Sequence, residues 1–162
     1  MNTELGFVLH PEKCIQCHAC ETACRAWRMP EEGASFRRVA VTERGAFPAT
    51  TLRYTSVGCL HCAEPACAAA CPAGAITKTA EGTVTVDRAA CIGCGACGEA
   101  CPYGVPRFTA DGRMHKCDLC AAAAVEAQRA PCARMCPTGA LELALLTPEE
   151  KHAQEQALRE RI

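Results

Sequence analysis

Sixteen cysteines fall along this chain in four groups of four with none left over, and no other feature restricts its folding as strongly. The first group is Cys14, Cys17, Cys20 and Cys24, spaced C-x2-C-x2-C-x3-C. The third, Cys91, Cys94, Cys97 and Cys101, repeats that spacing and runs into Pro102. The second, Cys59, Cys62, Cys67 and Cys71, widens the middle gap to four residues. The fourth, Cys117, Cys120, Cys132 and Cys136, widens it to eleven, and both again end in Cys-Pro.

Three thiolates spaced two residues apart wrap a tight loop around three corners of an iron–sulfur cubane. Such a loop cannot fold back onto the fourth corner, so a remote cysteine must close the set. In two-cluster ferredoxins the fourth cysteine of each run ligates the other run's cluster, and the proline after it turns the chain away. The runs therefore predict four [4Fe–4S] clusters, with runs working in pairs; spacing alone does not say which run pairs with which. Disulfides fit poorly, because repeated C-x2-C cannot bridge most of its neighbours without strain. Met1 to Lys13 also lacks the basic segment, apolar stretch and small-residue cleavage site of a secretory signal. Structural zinc would leave the third cysteine of each run without a role.

The rest of the composition agrees with a metal-built interior. A chain of 162 residues has room for one compact domain or two small ones sharing a core, yet only 4% of it is aromatic. Chains with so thin a core usually add disulfides or metal. The one tryptophan, Trp27, is expected to pack in what core there is. The formal charge is -1, and no apolar stretch approaches the ~18 residues of a membrane span. Four oxidised clusters with their thiolates would take the charge to about -9, which excludes a nucleic-acid surface.

Between the runs the organisation is that of nested ferredoxins. Cys59 to Val105 reads as a complete bacterial-type unit: a run ending Cys71-Pro72-Ala73-Gly74-Ala75-Ile76, a strand over Thr83 to Asp87, then the third run. The fourth run's Cys136-Pro137-Thr138-Gly139-Ala140-Leu141 repeats the Cys71 ending, so the first and fourth runs form the outer halves of a second unit. The reading is α+β: two nested bacterial-ferredoxin-like (2[4Fe–4S]) modules with short helices, small β-hairpins and long cluster-binding loops. The outer module spans residues 1–58 and 111–146, with a β-hairpin insertion at 35–58 around Arg44-Gly45 and Pro48. The inner module spans 59–110. Ala121 to Arg129 reads as a short helix ending at Pro131. Thr147-Pro148-Glu149-Glu150 is a capping box that opens a polar helical tail, residues 147–162, expected to serve as a docking or surface element.

Laid out this way, the chain resembles the four-cluster iron–sulfur subunit of the dimethyl sulfoxide reductase and molybdopterin oxidoreductase family. The likeness runs through Gly6-Phe7, Ser35-Phe36-Arg37-Arg38, Cys62 to Pro65-Ala66-Cys67, Cys91-Ile92-Gly93-Cys94, Ala100-Cys101-Pro102-Tyr103-Gly104 with Pro106, and Lys116-Cys117-Asp118-x-Cys120. The resemblance implies four ligand sets: Cys14, Cys17, Cys20 and Cys136; Cys59, Cys62, Cys67 and Cys101; Cys71, Cys91, Cys94 and Cys97; and Cys24, Cys117, Cys120 and Cys132. Pairing of consecutive runs is the alternative. It also implies an electron relay between a large molybdopterin-containing catalytic subunit and an integral membrane, quinol-linked anchor subunit, as in anaerobic respiration. The other readings are a stand-alone polyferredoxin carrier and the iron–sulfur subunit of a hydrogenase or formate dehydrogenase.

No nucleophile and base pair, phosphate loop or spare ligand set suggests catalysis by this chain itself. Assembly in the reducing cytoplasm and membrane association through partners follow from the cofactor chemistry and the resemblance. Of the residues beside ligands, His18, His61 and Arg25 are expected to face solvent, whereas Lys116 is expected to tune a cluster. Arg37 and Arg38 are balanced between a partner-facing and a solvated role. Gly93, Gly95 and Gly98 are expected to permit close backbone approach to a cluster.

Overall fold

The computed structural model describes residues 3–28, 35–120 and 130–162. In chain order the elements are β1 (Glu4–Leu9), a 3-10 turn (Pro11–Lys13), α1 (Ala19–Arg28), β2 (Arg37–Arg44), β3 (Thr51–Gly58), α2 (Ala66–Ala69), β4 (Ile76–Lys78) and β5 (Val84–Val86). There follow α3 (Ala96–Ala100), β6 (Arg107–Phe108), β7 (Met114–His115), α4 (Pro131–Arg134), β8 (Leu141–Leu146) and α5 (Pro148–Arg159). The helix expected over Ala121 to Arg129 lies outside the described residues. No helix of the described residues is long and apolar enough to cross a membrane.

Among the described residues the strands make four separate antiparallel pairs rather than one sheet. Three join neighbours in sequence: β2 with β3, β4 with β5, and β6 with β7. The fourth joins β1 to β8, Glu4 opposite Leu146 and Leu9 opposite Leu141, and so brings the segment before the first run against the segment after the last. Helices repeat that grouping: α1 packs on α4, and α2 on α3. The hairpin between the first two runs spans Arg37–Gly58; burial grades along it, from Arg37 and Thr55–Gly58 buried at its base to Val41 and Leu52 exposed towards its tip.

Two small apolar centres hold these pieces. The larger gathers Phe7, Val57, Leu60, Tyr103, Leu141 and Leu158 with Cys20, Cys59 and Cys132; the smaller gathers Ile76, Val84 and Met114 with Cys97. Cysteines thus occupy core positions that aliphatic residues fill elsewhere. Trp27 is not among them. In α1 only Cys20 and Cys24 are buried, and Trp27, in the last turn, is 48% exposed, contrary to its expected place in the core.

The C-terminal helix also departs from expectation. Its capping box forms as the sequence indicates, Thr147 accepting from the Glu150 N–H and the Glu150 carboxylate from the Thr147 N–H. It is not a surface appendage, however, because Lys151, Glu155 and Leu158, one turn apart, are all buried. The Lys151 Nζ donates to the Glu4 carboxylate at 2.9 Å and to the His61 carbonyl at 2.9 Å, while the Glu155 carboxylate accepts from the Ala63 N–H at 2.9 Å. The helix therefore clasps β1 to the loop of the second run.

Glu4 is shared, its Oε2 also lying 2.7 Å from the Lys78 Nζ. Burial pushes its carboxyl up, but the bonds from Lys78 and Lys151 outweigh burial and hold it below the ordinary 4.5. A depressed folded-state pKa contributes stability in full above about pH 4.5, lost as pH falls through the lower folded value. Glu4→Gln strands the buried Lys151 charge and is expected to cost about 3 kcal/mol at pH 7. The penalty should shrink below pH 4.5, where wild type protonates too. Denaturant unfolding at several pH values checks this, and parallel wild-type and variant curves would disprove it.

Candidate metal centres

The cysteine loops owe their curl to backbone geometry around the second cysteine. Gln16 (φ 59) and His18 (φ 58) flank Cys17 in the left-handed region, and Gly93 (φ 72) and Gly95 (φ 79) flank Cys94 in the same way. The third run thus uses glycine where the first tolerates side chains in a costly conformation. His61 (φ 52) precedes Cys62 and Leu119 (φ 59) precedes Cys120 in the same conformation, and in the fourth run the cysteine itself, Cys120 (φ 58), is left-handed too. At Gly98 a Cβ would meet the Phe108 ring at 3.0 Å, so a larger residue there would press on that ring.

All sixteen cysteines are free thiols. Among the described residues no three Cys, His, Asp or Glu side chains converge tightly enough for a single metal ion. They instead surround space. One cavity is lined by Cys24 together with Cys117, Cys120 and Cys132, under Phe7, Phe36 and Arg37. A second is lined by Cys71 together with Cys91, Cys94 and Cys97, walled by Ile76, Val86, Phe108 and Met114. Each combines three thiols of one run with the last cysteine of another. A four-cysteine lining of that kind is the donor set a [4Fe–4S] cubane takes, one thiolate to each iron.

A third group is read from mutual electrostatics. Burial drives the Cys62 thiol far up, and Glu155, Cys59, Cys67 and Cys101 push it further; the Cys67 thiol, raised to about 11, is pushed first by burial and then by Cys59 and Cys101. Burial likewise drives Cys117 up, with Cys59 and Cys132 adding to it, so the second and fourth runs adjoin. Burial raises Cys120 to about 11. Such thiols shed their protons only when a strong cation takes the sulfur, as iron does. Of the remaining cysteines, Cys20 lies in α1, which packs on α4, and Cys136 follows α4, whereas Cys14 and Cys17 precede α1 and neither of the two cavities groups the four. Burial pushes Cys136 up too, but bonds from Leu141, Thr138 and Ala140 outweigh it and hold it below its ordinary value. Backbone donors reach sulfur elsewhere: the Met114 N–H lies 3.4 Å from Cys91 Sγ and the Leu119 N–H 3.4 Å from Cys117 Sγ.

The basic neighbours sort differently from expectation. His18 is solvent-facing and pairs with Glu21 at 3.3 Å, and Arg25 is exposed, as read from the sequence. His61 is not: it is fully buried, its Nδ1 accepts from the Val84 N–H at 2.9 Å, and among the described residues its Nε2 has no partner. Burial, then the charges of Lys116, Lys151 and Arg37, hold its pKa well below the ordinary value, so it stays neutral with the proton on Nε2. Arg37 faces neither solvent nor a partner. It is 3% exposed, lies over the Phe7 ring at 4.2 Å and donates to Ser56 at 3.2 Å. Burial works against its charge, but Cys132, Cys117 and Cys20 outweigh it. The signal for Arg37 was present, since the alternation of β2 puts it on the face of Val39. Arg38 donates to the Tyr103 carbonyl at 3.3 Å. Lys116 is buried, its Nζ 3.7 Å from the Cys59 Sγ.

Comparison with known proteins completes the site. The family described as the 4Fe-4S dicluster domain matches residues 50–146, and that described as the 4Fe-4S binding domain matches residues 7–26. The chain is 38% identical over 151 residues to YnfG, a probable anaerobic dimethyl sulfoxide reductase subunit of Escherichia coli K12, covering 88% of this chain and 74% of that one. It is 36% identical over 151 residues to the B subunit of anaerobic dimethyl sulfoxide reductase of the same strain, with the same coverage. To the formate dehydrogenase-O iron-sulfur subunit of that strain it is 34% identical over 157 residues, 85% of this chain and about half, 52%, of that one. These relatives are named as parts of larger enzymes, which does not favour a stand-alone carrier. Cysteine runs, cavities and relatives together make this chain a member of the 4Fe-4S dicluster family, among the iron–sulfur electron-transfer subunits related to the B subunit of dimethyl sulfoxide reductase.

Proposed function

We propose that the chain binds four [4Fe–4S] clusters and relays electrons singly between a molybdopterin-containing catalytic subunit and a quinol-linked membrane anchor, without a catalytic site of its own. The observation that carries this reading is the pair of cavities, each lined by four cysteines drawn from two runs. The ligand sets are Cys14, Cys17, Cys20 and Cys136; Cys24, Cys117, Cys120 and Cys132; Cys59, Cys62, Cys67 and Cys101; and Cys71, Cys91, Cys94 and Cys97. Two nested ferredoxin modules follow, residues 59–110 inside 1–58 and 111–146, clasped by 147–162. The packing of α1 on α4 and of α2 on α3 supports the nesting.

Exposure supports an order along the relay. Only Cys17 and Cys94 are exposed among the sixteen, each near an exposed isoleucine, Ile15 or Ile92. The sets containing them are the two ends, where partners dock, and the sets of Cys117 and Cys59, none of whose cysteines is exposed, adjoin in the middle. The chain's residues space the clusters, exclude water and supply N–H donors to sulfur. The outer end faces the catalytic subunit, of the dimethyl sulfoxide reductase or formate dehydrogenase kind, and the inner end the membrane anchor. Assembly takes place in the reducing cytoplasm, with membrane attachment through that anchor.

Anaerobic purification, with iron and acid-labile sulfide counted per chain and the reduced paramagnetic resonance spectrum recorded, tests this. About sixteen of each with broad, interacting signals is expected, together with a copurifying large subunit. About eight, or zinc in place of iron, overturns the reading.

A further inference from the structure

The Lys116 ammonium is 5% exposed and lies where the second and fourth runs meet. It donates to the Cys117 carbonyl at 2.8 Å and to the Val84 carbonyl, and its Nζ stands 3.7 Å from the Cys59 Sγ. The other charged groups nearby do not neutralise it. Lys151 is engaged with Glu4, Arg37 lies against Cys20, Cys117 and Cys132, and His61, bonded to the same Val84 by its other main-chain group, is neutral. Among the described residues no carboxylate lies within ion-pair distance of Lys116. A buried ammonium without an anion is untenable. The nearest sulfur is a thiolate once iron binds.

We propose that Lys116 is the positioning residue that raises the reduction potential of the cluster held by Cys59, Cys62, Cys67 and Cys101, and thereby governs electron passage between the outer and inner modules. This rests on the four-cluster reading above. In that passage, between this cluster and the one held by Cys24, Cys117, Cys120 and Cys132, one of the two would go from the +1 to the +2 core as the other goes from +2 to +1, so one electron would move and no bond at Lys116 would change. A fixed positive charge beside the cluster of the Cys59 set favours its more negative, reduced form, so its potential rises. The 3.7 Å contact is to a ligand of the Cys59 set, whereas the contact on the Cys117 side is to a carbonyl, so the Cys59 set feels the larger effect.

The test is a potentiometric titration of the holo protein, followed by paramagnetic resonance, comparing wild type, Lys116→Met and Lys116→Arg. In Lys116→Met one cluster should show about a tenfold lower ratio of reduced to oxidised form at fixed potential, which for a one-electron couple is about 59 mV. That cluster should be the one missing in Cys62→Ser, and Lys116→Arg should keep most of the wild-type ratio. No shift, an equal shift in every cluster, or a shift confined to a cluster that survives in Cys62→Ser overturns the proposal. Should Lys116→Met fail to assemble, wild type labelled with 15N-lysine decides. Pulsed electron–nuclear double resonance should show a 15N coupling at the reduced cluster that disappears in labelled Lys116→Arg, and its absence from wild type overturns the proposal. Iron counts on the same samples report separately: fewer than four clusters refutes the relay reading, whereas four clusters with unmoved potentials refutes only the role of Lys116.

Discussion

Combining Cys24→Ser with Cys117→Ser is expected to cost no more iron than either substitution alone, leaving about twelve of sixteen atoms per chain. Both cysteines line the same cavity, 93 positions apart in sequence, so the second loss falls on a cluster already gone. Cys24→Ser with Cys14→Ser should leave about eight, because those two thiols serve different clusters despite sharing a run. If each run held its own cluster the two results would exchange places. If consecutive runs were paired, both doubles would leave about eight, since Cys24 would then close a cluster of the second run. Iron counts on purified double variants, with the resonance spectrum confirming which signals survive, separate the three arrangements. The effect is large because a [4Fe–4S] cluster with three thiolates is readily lost, and each loss removes a quarter of the iron.

Removing the clusters should unfold the protein. Near-ultraviolet dichroism and dispersed amide resonances are expected to disappear when the iron is chelated, and to return only with iron and sulfide. Without clusters, Arg37 and Lys116 remain buried with protonated thiols as neighbours, and each uncompensated buried charge costs several kcal/mol. Native stability is only about 5–15 kcal/mol in all. The two apolar centres are small, and cysteines make up part of both, so nothing of comparable size offsets the loss. Retained dispersion in the iron-free protein would show that the side-chain core suffices alone.

Much of this molecule was legible in the sequence because the features concerned are local. The spacing C-x2-C-x2-C determines the loop, and its curl appears in the left-handed residues on either side of Cys17 and Cys94. Alternation around Val39 and Val41 determined the hairpin Arg37–Gly58, and Thr147 with Glu150 determined where α5 begins, since each depends on residues a few positions apart. The nature of the ligands and of the metal chemistry was likewise contained in residue type and spacing.

Burial of the polar side chains was decided only in three dimensions. His61 stands beside a ligand just as His18 does, yet one is sealed under β5 while the other meets water, and nothing within either run distinguishes them. Trp27 falls on the spacing of Cys20 and Cys24, yet it is exposed in the last turn of α1 while they are buried. The inward face of α5 carries Lys151 and Glu155, residues that composition assigns to solvent, because Glu4 and the second-run loop arrive from far along the chain to meet them. Which cysteines share a cavity, and which cations stand between the runs, depends on β1 meeting β8 across more than 130 residues. Spacing determines what a loop can grip; contacts between distant segments determine what surrounds it, because burial is a property of the partners and not of the run.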